Sequence, residues 1–185
     1  MSKISNKSLQ EDLLFRVLQN KNEAIHLKSN SENQLLHKIT EDKWSANQCF
    51  EHLTIVQNKY VNNINKALEK SRNPSEYFKQ GFIGAWFYER MLPITSTSKS
   101  TKTKTFKNLQ PENTPDAIDR FLESLKIVEQ LISNALNQNL EKTRVVSLAG
   151  PILKFKLGDA YRIVIAHNER HLKQAARSAR AVGKI

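Results

Sequence analysis

Two of the chain's five histidines, His167 and His171, stand four apart in the stretch "AHNERHLKQA". On a helix that spacing stacks both imidazoles on one face, one turn apart, where the pair can chelate a single cation. Ala160, Val164, Gln174, Ala175 and Ser178 recur at the same helical spacing, so the histidines lie on the apolar stripe and face inward. A second segment, "WSANQCFEHLTIVQNKY", places Cys49, His52, Val56 and Tyr60 on one stripe. His52 therefore also faces a core. A lone histidine on an apolar face is ordinarily a core residue whose ring nitrogens have found partners. Three inward histidines on two helices are harder to explain that way. Neutral imidazole suits zinc, nickel, copper or ferrous iron, and three protein ligands with a fourth position open are the pattern of a catalytic site. His26, near a helix end, and His37, in a loop segment, read as solvated side chains.

The pair is not the H-E-x-x-H of a zinc peptidase, in which a glutamate directly follows the first histidine and acts as base. Asn168 holds that position here. Glu169 lies one residue further, about 200° around the helix from His167, and points away. Glu51, before His52, need not face the site either. Tyr60 is two turns from His52 on the same face; it reads first as a core tyrosine, with a pocket wall or proton donor as the alternative. Cys49 reads first as a small core residue; a fourth ligand or a reactive thiol stays open.

Four long amphipathic helices must carry these residues. Ser8 with Glu11 has the form of a capping box, and Leu14, Val17, Leu18, Ala24 and Ile25 follow at helical spacing, giving a first helix over about 8–29. Ser45 with Gln48 is a second capping box, with Trp44 placed to staple the first turn, and opens a helix that runs to about 70. Thr114-Pro115-Asp116 starts a third, which carries Ile118, Phe121, Leu122, Leu125, Val128, Ile132, Ala135 and Leu136. The fourth starts near 157–159 and stops at about Gly183. Between the second and third lies a long connection over 71–113. It contains the amphipathic patch "GFIGAWFYERML" and then the polar, basic run "TSTSKSTKTKTFK", expected to be a mobile loop. "NQNLEKTRVVSLAGPILKF" reads as extended, with a turn at Gly150-Pro151. The fold class is all-α, a four-helix bundle, in a single domain over 1–185.

Composition narrows the function classes. Hydrophobic residues make up 39% and charged residues 25%, as in globular chains rather than disordered ones. No apolar run approaches the roughly 20 residues of a membrane span, and no signal-peptide pattern opens the chain. The single cysteine excludes an internal disulfide and fits a reducing, cytoplasmic setting. The net charge of +11 raises a rival reading: a basic, non-enzymatic nucleic-acid-binding protein, with Lys99, Lys102, Lys104 and Lys107 in one loop and Lys173, Arg177, Arg180 and Lys184 at the end of the fourth helix. No helix-turn-helix spacing, RNP-like aromatics or zinc-finger cysteines accompany them, and cations at a helix C-terminus are favoured by its dipole alone.

"WSANQCFEHL" and "AHNERHLKQAAR" resemble, in order, the two signature segments of the DinB-like superfamily: Trp-Ser followed by His-Leu on the second helix, and His-x3-His with a following Gln on the fourth. The resemblance spans about residues 8–180. It implies an up-down-down-up bundle with a long crossover between the second and third helices. It also implies a divalent metal, usually zinc or nickel, with iron a further candidate, on His52, His167 and His171, with water completing the shell. Characterised relatives include thiol-dependent S-transferases, and homodimers are common. "ILKFKLGDAY" departs from the hydroxyl-capped entry that many relatives show before the fourth helix, so Gly158 or Asp159 is expected to handle that start. A metal of this kind supports thiol transfer or hydrolysis on a small-molecule substrate; a low-molecular-weight thiol cofactor belongs to the first. Trp86, Phe87 and Tyr88 are placed either to lid the pocket or to pack on the bundle end.

Overall fold

A computed structural model describes residues 3–93 and 110–181. Its elements run β1 (Lys3–Ser5), α1 (Asn6–Lys28), α2 (Glu32–Leu36), α3 (Ala46–Leu68), β2 (Tyr77–Lys79), α4 (Phe82–Met91), α5 (Ala117–Ser133), β3 (Arg144–Val146), β4 (Lys154–Lys156) and α6 (Leu157–Arg180), with a 3-10 turn at Ala135–Asn137. The protein is mostly helical, with two small antiparallel sheets, β1 with β2 and β3 with β4. Both α1 and α3 pack against both α5 and α6, and their facing stripes form one apolar core. No helix of the described residues is long and apolar enough to cross a membrane.

The long helices follow their local signals with three corrections. Ser5, not Ser8, caps α1: its hydroxyl accepts the Ser8 N–H at 3.0 Å, and the helix begins two residues earlier than Ser8. The cause is non-local, because pairing of Ile4 with Phe78 in the β1–β2 ladder fixes where the chain turns into the helix. Next, α5 begins at Ala117, with Thr114 and Pro115 in the preceding turn, where the Thr114 carbonyl accepts the Ala117 N–H. Finally, Leu18 and Ile25 lie on the outer face of α1, 51% and 50% exposed, with Phe15 beside them at 60%. The inner face carries Leu9, Leu13, Val17, Asn20, Ala24 and Leu27 instead, so α1 is apolar on both sides.

The connections hold more structure than periodicity reveals. Ser31 and Gln34 make a full capping box for α2, and His37 ends it. Within 71–93, β2 and α4 appear; the run 95–107 and its lysines, with Gly183 and Lys184, lie outside the described residues. The extended segment before α6 folds into the β3–β4 hairpin, turning at Gly150 in a left-handed backbone conformation, φ 155°.

Two helix starts fix the parts that carry the histidines. The Ser45–Gln48 capping box forms as expected, and the same turn is tied to the segment before α5: Gln48 donates to the Pro111 carbonyl at 2.9 Å and Asn47 to that of Thr114 at 2.7 Å. At the start of α6, the Leu157 and Gly158 N–H groups bond the carbonyls of Thr143 and Leu140. Gly158 lies so close to Phe78 that a Cβ there would stand 2.6 Å from the ring. Asp159 does not cap its own helix; its Oδ2 accepts the Gly81 N–H at 3.0 Å, at the start of α4.

Candidate metal centre

His52 sits two turns into α3, and His167 and His171 lie in the middle of α6. Packing of α3 against α6 brings the three together. The ring centroids of His167 and His171 are 4.6 Å apart, those of His52 and His171 also 4.6 Å, and those of His52 and His167 5.2 Å. Each histidine offers one nitrogen such that all three ligand atoms lie within 4.8 Å of one another. The Nε2 atoms of His52 and His167 face each other at 3.3 Å. Two nitrogens at zinc–imidazole distance on one tetrahedral ion stand about 3.3 Å apart. The same separation is long for a hydrogen bond. The donor set and its spacing fit a divalent cation.

Protonation favours the same outcome. Burial pushes His52 down to about 4 and His171 down to about 3; His167 is driven well below the ordinary histidine value by burial and then by the neighbouring charges of His171, His52 and Arg170. All three are neutral near pH 7, the form that coordinates metal. Gln174, one turn beyond His171, places its Oε1 3.0 Å from the His171 Nδ1. The proton is thereby held on Nδ1 and the Nε2 lone pair is left for a ligand bond, the usual second contact of a metal-binding histidine. His52 is buried, while His167 and His171 are half-buried, so the cluster reaches solvent along α6.

The nearby reactive residues are engaged elsewhere. Glu169 forms a two-point ion pair with Arg16 of α1, Nε to Oε1 at 2.7 Å and Nη2 to Oε2 at 3.0 Å. Glu51 pairs with Arg120 at 2.6 Å. The Cys49 side chain is fully buried and burial pushes its thiol up to about 12, so the thiolate needed for a fourth ligand or nucleophile is disfavoured. Tyr60 is a core residue, its hydroxyl held by Ser147 and the backbone at Leu148. His26 is exposed, His37 half-buried, and neither belongs to the cluster. Phe87 packs edge-on against Phe155 and Tyr88 lies under Arg162, so these α4 aromatics pack at the bundle end around the start of α6.

Two contributors escape a reading by helical phase. Trp44, expected to staple the first turn of α3, lies with its ring 4.9 Å from that of His52 and 6.1 Å from that of His171, forming an aromatic wall. Asn168, next to His167, is buried and donates to Gln57 of α3 at 2.6 Å; Gln57 donates to Ser124 of α5 at 3.0 Å, and Ser124 to Asn58 at 2.8 Å. The Trp-Ser signature was the only sequence hint of the first. Nothing local marks the second, since Asn168 and Gln57 are 111 residues apart.

No curated protein and no solved structure matches the chain. The pattern that defines the DinB superfamily does, over residues 19–175, a span that includes all three histidines and every long helix in whole or part. That span is most of the chain, and the chain belongs to the DinB superfamily.

Proposed function

We propose that this protein is a metal-dependent enzyme in which His52, His167 and His171 hold a divalent ion, zinc or nickel before iron, and that it transfers a thiolate to a small electrophilic substrate. The observation that carries this reading is the convergence of three neutral imidazoles, two of them with Nε2 atoms 3.3 Å apart, at a place open to solvent. When bound, such an ion lowers the pKa of a coordinated water or thiol and holds the resulting anion as nucleophile. Trp44 walls one side of the space, and Gln174 fixes the orientation of His171. Thiol transfer is favoured over hydrolysis because the two glutamates beside the histidines in sequence are committed to Arg16 and Arg120. A thiol that had lost its proton to solvent would need no further base, whereas attack by water ordinarily relies on one. The low-molecular-weight thiol would be the co-substrate.

In the same reading the four long helices α1, α3, α5 and α6 form the up-down-down-up bundle of the superfamily, the chain works in the cytoplasm, and it pairs as a homodimer. The exposed side chains of Phe82, Ile83 and Trp86 on α4 support an interface of that kind. Metal analysis of protein purified without a histidine tag tests the central claim. About one equivalent of zinc or nickel per chain is expected, and His167→Ala should lower the affinity at least a hundredfold. Wild-type protein that neither carries nor takes up either metal overturns it.

A further inference from the structure

The outer side of α6 carries an excess of one charge. Arg162, Arg170, Lys173, Arg177 and Arg180 share this helix with Asp159 and Glu169. Glu169 is neutralised by Arg16, and Asp159 is buried against the start of α4. The cations are not equivalent. Arg162 lies 4.1 Å from the centre of the Tyr88 ring, which occupies it at the bundle end. Arg170 and Arg177 lie three and ten residues beyond His167, with Gln174 between them at seven. The row i, i+3, i+7, i+10 is one stripe of a helix. This stripe therefore begins at a histidine of the cluster and continues along α6 past His171.

Neither Arg170 nor Arg177 forms an ion pair with a carboxylate among the described residues. Arg170 is half-buried, and one of its guanidinium nitrogens, Nη1, donates to the Arg90 carbonyl at 2.7 Å, which fixes its direction from the α4 side. A half-buried guanidinium next to His171, with a second arginine two turns further along the same stripe and no acid to answer either among the described residues, is costly in the free protein. A bound anion removes that cost, and a guanidinium is the side chain best shaped to grip a carboxylate or phosphate.

The geometry points to Arg170 and Arg177 as an anchoring site for an anionic group, carboxylate or phosphate, on the small molecule whose reactive end meets the three-histidine centre. This rests on the metal-site reading and narrows it: the substrate or its thiol partner is an anion with its charge on the α4 side of the site. The arginines act by binding and by raising the local concentration of the anion; no bond is made or broken at them.

The test uses the cobalt-loaded full chain, whose cobalt–thiolate absorption reports a thiol on the metal. Two probes of equal length are titrated, 4-mercaptobutyrate and 4-mercaptobutanol. The expected result is tighter binding of the carboxylate by roughly tenfold or more, the scale of a charge-assisted contact. That preference should vanish in Arg170→Gln/Arg177→Gln, with 4-mercaptobutanol affinity and cobalt stoichiometry unchanged, and survive in Arg162→Gln, which removes an equal charge from the far end of the same helix. Cobalt loading with no preference in the wild type, or a preference that the double variant keeps, overturns the anchoring site and leaves the metal centre standing. A wild-type chain that loads no cobalt removes both. Salt-sensitive binding of duplex DNA lost in the double variant, without a carboxylate preference, reassigns the arginines to a nucleic-acid surface and likewise overturns the proposal.

Discussion

His167 and Asn168 are neighbours on α6, and each meets a side chain of α3, yet the two contacts are built on opposite terms. Asn168 donates to the Gln57 carbonyl oxygen, and Gln57 donates onward to Ser124 and thence to Asn58. Every link joins a donor to an acceptor, and the chain runs from the core out to Asn58 at the surface. His167 meets His52 through two atoms of the same kind, Nε2 to Nε2. Two neutral imidazoles that meet nitrogen to nitrogen at 3.3 Å gain at most one long hydrogen bond from each other, whereas a shared cation would satisfy both. The amide chain sets the register of α3 against α6, a use to which buried polar groups are suited. The histidines spend that register on a place for something from outside. Polarity in a helical core thus fastens when complementary and recruits when not.

The contrast can be broken from either side. The largest effect is expected at the fastening contact. Asn168→Leu leaves the buried Gln57 oxygen without its donor and should cost about 1–3 kcal/mol, read from urea unfolding of the metal-free protein. Gln57→Leu combined with Asn168→Leu should cost less than the two single changes added together. Strict additivity would mean that the amides do not act as a pair.

An effect that is small near neutral pH and grows on acidification belongs to the recruiting contact. Burial holds His52 at about 4 in the folded state against the ordinary 6.5. Between these values the unfolded chain takes up a proton that the folded one refuses, so metal-free stability should fall as pH drops from 6.5 toward 4. The slope is about 1.4 kcal/mol per pH unit for each such histidine. His52→Gln should flatten the dependence by about that amount, and an unchanged slope would remove His52 from the titrating set. The smallest expected effect is at Gln174→Ala, where loss of the bond to the His171 Nδ1 should weaken metal binding about tenfold, by isothermal competition with a chelator, and leave unfolding little changed.

Features set by neighbours in the chain were legible in the sequence. The Ser45–Gln48 box spans four residues, the inward phase of His52, His167 and His171 is read from one helix at a time, and the bent-away Glu169 follows from angle alone. Features set across the fold were not. The three-residue strands are too short to show a period, so the shift of the α1 cap to Ser5, imposed by β2, had no local trace. Leu18 and Ile25 have the residue types of a core and the exposure of a surface; periodicity cannot decide which of two apolar faces turns inward. Asp159 sits where a helix cap is expected but serves the neighbouring helix, because Gly81 and Gly84 let α4 come within contact of its carboxylate. The α2 capping box was a local signal, and the helix it opens is so brief that the surrounding polar residues mask it.

Trp44 has one more consequence. The chain has two tryptophans; the ring of Trp44 leans on two of the three histidines, and that of Trp86 lies half-exposed under the Arg90 guanidinium, 4.0 Å away. One indole therefore reports on the site while the other reports on the outer face of α4, away from the histidines. The protein carries its own optical gauge of occupancy, with the second emitter as an internal reference that needs no added dye.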